Sequence, residues 1–149
     1  MRGETDFSYA LKHGTPVLFD LAPDLNTAER RIAAAHAAGK KMGMHSDGYT
    51  LDIIPDLIDL GLDYFNTQIF CIGIDKLAQF KGKITFHGEI CRQNLLPNGS
   101  VQDISNAVRK VYDTLWDNGG CIAQCEFGPG SKPENVYEVF RMWDELTTR

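Results

Sequence analysis

The chain has 149 residues, of which 43% are hydrophobic and 23% charged, so a disordered, collagen-like or coiled-coil protein is excluded. Its net charge of −5 argues against a nucleic-acid partner, because phosphate binding needs clustered lysine and arginine. No apolar run approaches the roughly 20 residues of a membrane span, and the N-terminus lacks the apolar core of a signal peptide. We therefore expect a soluble, cytoplasmic protein whose four cysteines form no disulfide framework.

Strand and helix patterns alternate along the chain. A short apolar run predicts a first strand near 17–20, and helical spacing of apolar residues predicts the first helix near 27–38. The elements predicted after these are a strand at 41–45, a helix at 52–60, strands at 64–66 and 83–87 around a short helix at 75–80, a helix at 101–117, a strand at 121–125 and a helix at 133–146. Such alternation is typical of parallel βαβ units. Two folds remain open, half of a (β/α)₈ barrel or a small open α/β sheet.

Two of the predicted helices carry clear apolar stripes. The helix at 101–117 places Ile104, Val108, Val111 and Leu115 on one face, and the last helix forms a second stripe from Val136, Val139, Phe140, Trp143 and Leu146. Such a stripe is the face that an amphipathic helix packs against the rest of the protein.

Polar residues follow four of the predicted strands. Ligands bind at the carboxyl ends of parallel strands, so the side chains that follow each strand are candidates for a site. These segments are His45-Ser46-Asp47-Gly48, Asn66-Thr67-Gln68, His87-Gly88-Glu89 and Gln124-Cys125-Glu126.

His45, Asp47 and Cys125 are the sharpest candidates among these residues. Imidazole, carboxylate and thiolate all bind zinc, and three protein ligands with one open position is the pattern of catalytic zinc. The structural alternative is that His45 makes a hydrogen bond within the protein, Asp47 caps the next helix and Cys125 is a small buried residue.

Three groups of residues resemble the uroporphyrinogen decarboxylase superfamily. They are the residues at 45–48 with 53–63, the residues at 86–90 with Gln93, 96–97 and 99–100, and the residues at 119–125 with 132–135. The resemblance spans about residues 26 to 149. It implies an α/β fold that is the C-terminal half of a (β/α)₈ TIM barrel, so residues 1–149 would form one partial domain. A second copy or a missing N-terminal half would then complete the barrel.

The resemblance also implies a chemistry. The superfamily contains decarboxylases and zinc methyltransferases that act with corrinoid proteins or thiols. The methyltransferases hold zinc through a His-x-Cys pair and a distant cysteine, which His45 and Cys125 match, while Asp47 stands at the middle position. The decarboxylases carry Gly-His-Gly where Cys125 stands here. The resemblance therefore favours a zinc methyltransferase with Glu89 and Gln68 lining the site, a small thiol as acceptor and a methyl-corrinoid on a partner protein as donor.

Two other functions stay open. One is a metal-free decarboxylase that acts on a porphyrinogen or another carboxylate substrate. The other is a non-catalytic half-barrel that works only as part of an assembly, since an open half-barrel exposes sheet edges and apolar faces.

Overall fold

A computed structural model of the protein describes residues 17–20 and 25–148. The chain forms two compact units, one ending at Thr67 and the other beginning at Gln68. Strands alternate with helices, and strand pairing within each unit is parallel, which confirms the predicted α/β class. Across the ranges described, no helix combines the length and apolar character needed to cross a membrane.

The first unit is built around a central strand. Its elements are β1 (Val17–Asp20), α1 (Leu25–Ala37), β2 (Met42–Ser46), α2 (Ile54–Asp59, preceded by a 3₁₀ turn at Leu51–Ile53) and β3 (Tyr64–Thr67). β2 pairs with β1 in the register Val17 to Met42, and with β3 in the register Gly43 to Tyr64. Because β2 is hydrogen-bonded to a strand on each side, it fixes the position of the residues that follow it.

The two faces of β2 and β3 differ in chemistry. Side chains alternate across a strand, so Met42, Met44 and Phe65 share one face, and all three are fully buried. The opposite face carries His45 and Asn66, together with Gly43 and Tyr64. The Tyr64 ring lies over Gly43, where an added Cβ would come within 2.0 Å of the ring. Because residue 43 has no side chain, the Tyr64 ring can lie over its backbone, on the face that also carries His45 and Asn66.

The second unit contains two strands and five helices among its described residues. Its elements are α3 (Ile69–Ile72), α4 (Ile74–Leu77, followed by a 3₁₀ turn at Ala78–Phe80), β4 (Thr85–Gly88), α5 (Leu95–Asn98), α6 (Val101–Leu115), β5 (Cys121–Ala123) and α7 (Pro133–Thr147). β4 and β5 pair in the register Phe86 to Cys121, and α6 packs against α7.

Local chemistry sets the start of α6. The Ser100 hydroxyl accepts a hydrogen bond from the Asp103 amide at 3.2 Å, and the Ser100 amide donates to the Asp103 carboxylate at 2.9 Å. This reciprocal capping box satisfies two amides that a helix start otherwise leaves unpaired. The predicted stripe of Ile104, Val108, Val111 and Leu115 is buried.

The structure departs from the predicted elements in several places. The helix predicted at 75–80 begins at Ile74 and ends as the 3₁₀ turn at Ala78–Phe80, while Gly73, with a φ of 95°, separates α4 from α3. The strand predicted at 121–125 ends at Ala123, which leaves Cys125 in a loop. In the last helix Val139 and Trp143 are buried as predicted, but Phe140 is 53% exposed. The prediction for Phe140 was wrong because its position lies at the rim of the stripe.

Candidate functional site

The predicted ligands His45 and Asp47 lie close together at the carboxyl end of β2. The Nε2 atom of His45 is 3.9 Å from Oδ1 of Asp47. Two ligands of one tetrahedral zinc ion, with bonds of about 2.0–2.2 Å, are about 3.4 Å apart. A small side-chain rotation brings the pair to that spacing. The His45 side chain is 27% exposed and that of Asp47 is 60% exposed, so the pair opens to solvent on the Asp47 side.

A buried hydrogen bond fastens the loop that carries Asp47. The hydroxyl groups of Thr50 and Thr67 lie 2.8 Å apart, and both residues are buried. Thr67 is the last residue of β3, so this bond ties the loop after β2 to the end of the neighbouring strand. The loop turns at Gly48, whose φ of 82° lies in the left-handed region that favours glycine.

His45 and Asn66 each carry a buried polar atom on the same face of the sheet. Nδ1 of His45 and Oδ1 of Asn66 have no hydrogen-bond partner among the described residues. The two residues are register partners on the adjacent strands β2 and β3. Buried polar atoms are normally hydrogen-bonded, so each orphan indicates a position with a role beyond packing.

The second unit places two polar pairs at the ends of β4 and β5. His87 Nδ1 is hydrogen-bonded to Oε1 of Gln124, and Arg92 forms an ion pair with Glu126. The glutamine oxygen only accepts, so the bond places the imidazole proton on Nδ1 and leaves the lone pair on Nε2. Sequence reasoning placed His87 and Gln124 at strand ends without pairing them, and it gave no role to Arg92.

Glu89 and Gln68 are the other residues predicted to line a site, and both belong to the second unit. Glu89 directly follows β4 and is only 7% exposed, so it is a buried carboxyl group and not the exposed loop carboxylate that is the usual case. Gln68 directly precedes α3, where its Oε1 accepts a hydrogen bond from the Cys71 thiol at 3.3 Å. The protein surroundings therefore hold both side chains in defined positions within the second unit.

Burial favours the protonated thiol at two cysteines of this unit, Cys121 and Cys125. Burial raises the pKa of Cys125 to about 11 and that of Cys121 to about 12. A thiolate at Cys125 would therefore need a nearby positive charge to form at neutral pH. Cys121 is buried beside β4 and has the environment of a packing residue.

The structure brings together two of the three predicted metal ligands. His45 and Asp47 form a close pair in the first unit, and Cys125 belongs to the second. Within the part of the chain that is described, no group of three or more His, Cys, Asp or Glu side chains is placed to hold a metal ion. The donor set and spacing of the His45 and Asp47 pair fit zinc, and Cys125 as third ligand stays a prediction.

Comparison with known proteins adds no identification. No protein-family model matches the chain, and no curated protein matches its sequence.

Proposed function

We propose that the protein is an enzyme of the uroporphyrinogen decarboxylase superfamily, of the zinc methyltransferase kind, whose α/β units form the C-terminal half of a (β/α)₈ barrel. The observation that carries the proposal is the approach of His45 Nε2 to Asp47 Oδ1 at the carboxyl end of β2. That edge of a parallel sheet is where α/β enzymes place their ligands.

His45, Asp47 and Cys125 would hold the metal in this proposal. Zinc, when bound, would supply a Lewis acid that lowers the pKa of an acceptor thiol. His45 would offer Nε2, and Asp47 would offer a harder oxygen ligand than a thiolate. The Thr50 to Thr67 hydrogen bond holds the loop that carries Asp47. Only a small side-chain rotation would therefore bring Asp47 and His45 to the spacing of two zinc ligands.

The remaining residues would act on the substrates. Glu89 is a buried carboxyl group suited to exchange a proton with the acceptor thiol. Gln68 would orient that thiol through its side-chain amide. The donor would be a methyl-corrinoid carried by a partner protein. A second copy of the chain, or a separate N-terminal half, would close the barrel.

Methyl transfer can be measured directly. Zinc-loaded protein is mixed with methylcobalamin and a small thiol, and loss of the methyl–cobalt absorbance is followed together with the thioether formed. We expect turnover that falls at least 100-fold in His45→Ala, with His36→Ala, at an exposed histidine outside the proposed site, as the matched control. Zinc bound at the site without thioether formation would contradict the proposed reaction.

The polar pairs at β4 and β5 favour a second candidate, a metal-free decarboxylase. The hydrogen bond from His87 Nδ1 to Gln124 would let Nε2 exchange a proton with a substrate, and Arg92 supplies a guanidinium group that can bind a carboxylate. The test is carbon dioxide release from a porphyrinogen by chelator-treated protein. Release that depends on His87 and survives His45→Ala would favour this candidate over the methyltransferase.

A further inference from the structure

We infer that Asn66 is a positioning residue for His45. In this inference the side-chain oxygen of Asn66 accepts a hydrogen bond from the Nδ1–H group of the His45 imidazole. This inference deepens the proposed function and rests on it, because it assigns the free lone pair of His45 to Nε2. Both residues belong to the first unit.

The register of β2 and β3 sets the geometry. His45 and Asn66 are Cα partners on adjacent parallel strands, so their side chains leave the sheet on the same face, with the strands about 4.8 Å apart. Asn66 is only 8% exposed and His45 is partly buried. Side chains that start this close and point in the same direction can reach each other directly, or through one water molecule.

The unsatisfied atoms are chemically complementary. Among the described residues, Nδ1 of His45 lacks a partner and so does Oδ1 of Asn66. An amide oxygen can only accept, so it satisfies an imidazole nitrogen only when that nitrogen carries the proton. Pairing the two removes both orphans at once, whereas leaving them unpaired keeps two buried polar groups without the hydrogen bonds that they would make in water.

The pairing has a consequence for the other ring nitrogen. With the proton fixed on Nδ1, the lone pair is on Nε2, which is the atom 3.9 Å from Asp47 Oδ1. Histidine ligands of metals generally donate their second N–H to a carboxylate, a carbonyl or water, which fixes both tautomer and ring orientation. Asn66 would have this role here. The opposite orientation of the amide would donate to Nδ1 and place the proton on Nε2, the nitrogen that faces Asp47.

The test reads the tautomer of His45 in the metal-free protein. Nitrogen-15 NMR is recorded at about pH 9, where an ordinary imidazole is neutral. We expect a protonated Nδ1 and an unprotonated Nε2 in the wild type and in Asn66→Asp, which keeps an acceptor oxygen. In Asn66→Val, which removes the acceptor and suits a strand, we expect a mixture of tautomers.

Phe65→Leu is the matched control. Phe65 is the preceding residue of the same strand, is fully buried and lies on the opposite face, so the substitution perturbs β3 without touching the side that carries His45. We expect it to leave the His45 tautomer unchanged. If Asn66→Val fails to fold, the wild type and Asn66→Asp still decide the matter, because both must show the Nδ1 proton.

Zinc affinity separates this inference from the proposed function. We expect Asn66→Val to weaken zinc binding about 10–100-fold relative to Phe65→Leu. A wild-type protein that binds zinc but protonates Nε2 in its metal-free form would overturn the role of Asn66 alone. A wild type that shows the Nδ1 proton but binds no zinc would overturn the proposed function and keep the His45 to Asn66 hydrogen bond.

Discussion

Gly88 at the end of β4 lies directly against the indole ring of Trp143 from α7. A Cβ atom added at Gly88 would lie 2.9 Å from Cζ2 of Trp143 and 2.8 Å from Sγ of Cys121. Distances this short force a shift of buried groups, since Trp143 is only 3% exposed. This close approach packs α7 against β4, the strand that contains His87 and is followed directly by Glu89.

We therefore expect Gly88→Ala to lower the free energy of unfolding by about 1–3 kcal/mol, the range for overpacking a core. Gly128→Ala is the matched control, because nothing lies within 4 Å of a Cβ added there. Its expected effect is within about 0.5 kcal/mol. Urea unfolding midpoints compare the two variants. Equal midpoints would show that α7 does not rest on Gly88.

Asn135 in the first turn of α7 should be essential for stability. Its fully buried amide nitrogen lies 3.0 Å from the carbonyl oxygens of both Leu96 and Gly99. These carbonyls belong to the C-terminal end of α5, where helix carbonyls lack intrahelical partners. Asn135→Leu should cost about 1–3 kcal/mol, since it removes the hydrogen bonds that the buried amide donates to these two carbonyls.

Asn135→Asp provides a sharper variant of the same test. A carboxylate offers no donor to the two carbonyl groups, so we expect a larger loss than in Asn135→Leu at neutral pH. Protonation at low pH restores a donor, and the deficit relative to wild type should then narrow. The exposed amide variant Gln102→Ala should unfold like wild type. An Asn135→Asp deficit independent of pH would contradict this assignment.

Asp63 should make stability depend on acid pH. Burial alone would raise its pKa, but hydrogen bonds from the Lys41 ammonium at 2.7 Å, the Met42 amide at 2.8 Å and His36 at 2.8 Å outweigh burial and lower it. A carboxyl group whose pKa is lower in the folded state stabilises the fold above its unfolded pKa. That contribution is lost as the pH falls through the lowered pKa.

Asp63→Asn should accordingly reduce the free energy of unfolding by about 1–2 kcal/mol at neutral pH, and the gap to wild type should close below about pH 4. Asp59→Asn, at an exposed position in α2, is the control for the charge change itself. Unfolding curves at several pH values measure the effect. Parallel stability profiles for wild type and Asp63→Asn would count against it.

The periodic features of the fold were predictable from the sequence. The alternation of strands and helices, the strand at Val17–Asp20 and the buried stripe of α6 follow from apolar spacing alone. The strand-end rule also located His45 and Asp47, because the two residues are near neighbours in the chain and close in space.

The contacts between distant residues were not predictable in the same way. Pairing His87 with Gln124, or placing Asn66 beside His45, requires strand register, which a single sequence does not reveal. The burial of Asn135 could not be predicted from the sequence either. A polar residue in the first turn of a helix normally faces solvent, and only the carbonyls of α5 explain its burial.

Zinc stoichiometry tests the central claim most directly. Protein supplied with zinc and then dialysed is analysed for metal, with each variant checked for folding by circular dichroism. The account predicts about one zinc per chain in wild type and in Cys71→Ser, and loss of that zinc in His45→Ala, Asp47→Asn and Cys125→Ser. A folded wild type that takes up no zinc, or zinc retained in all three ligand variants, would contradict it.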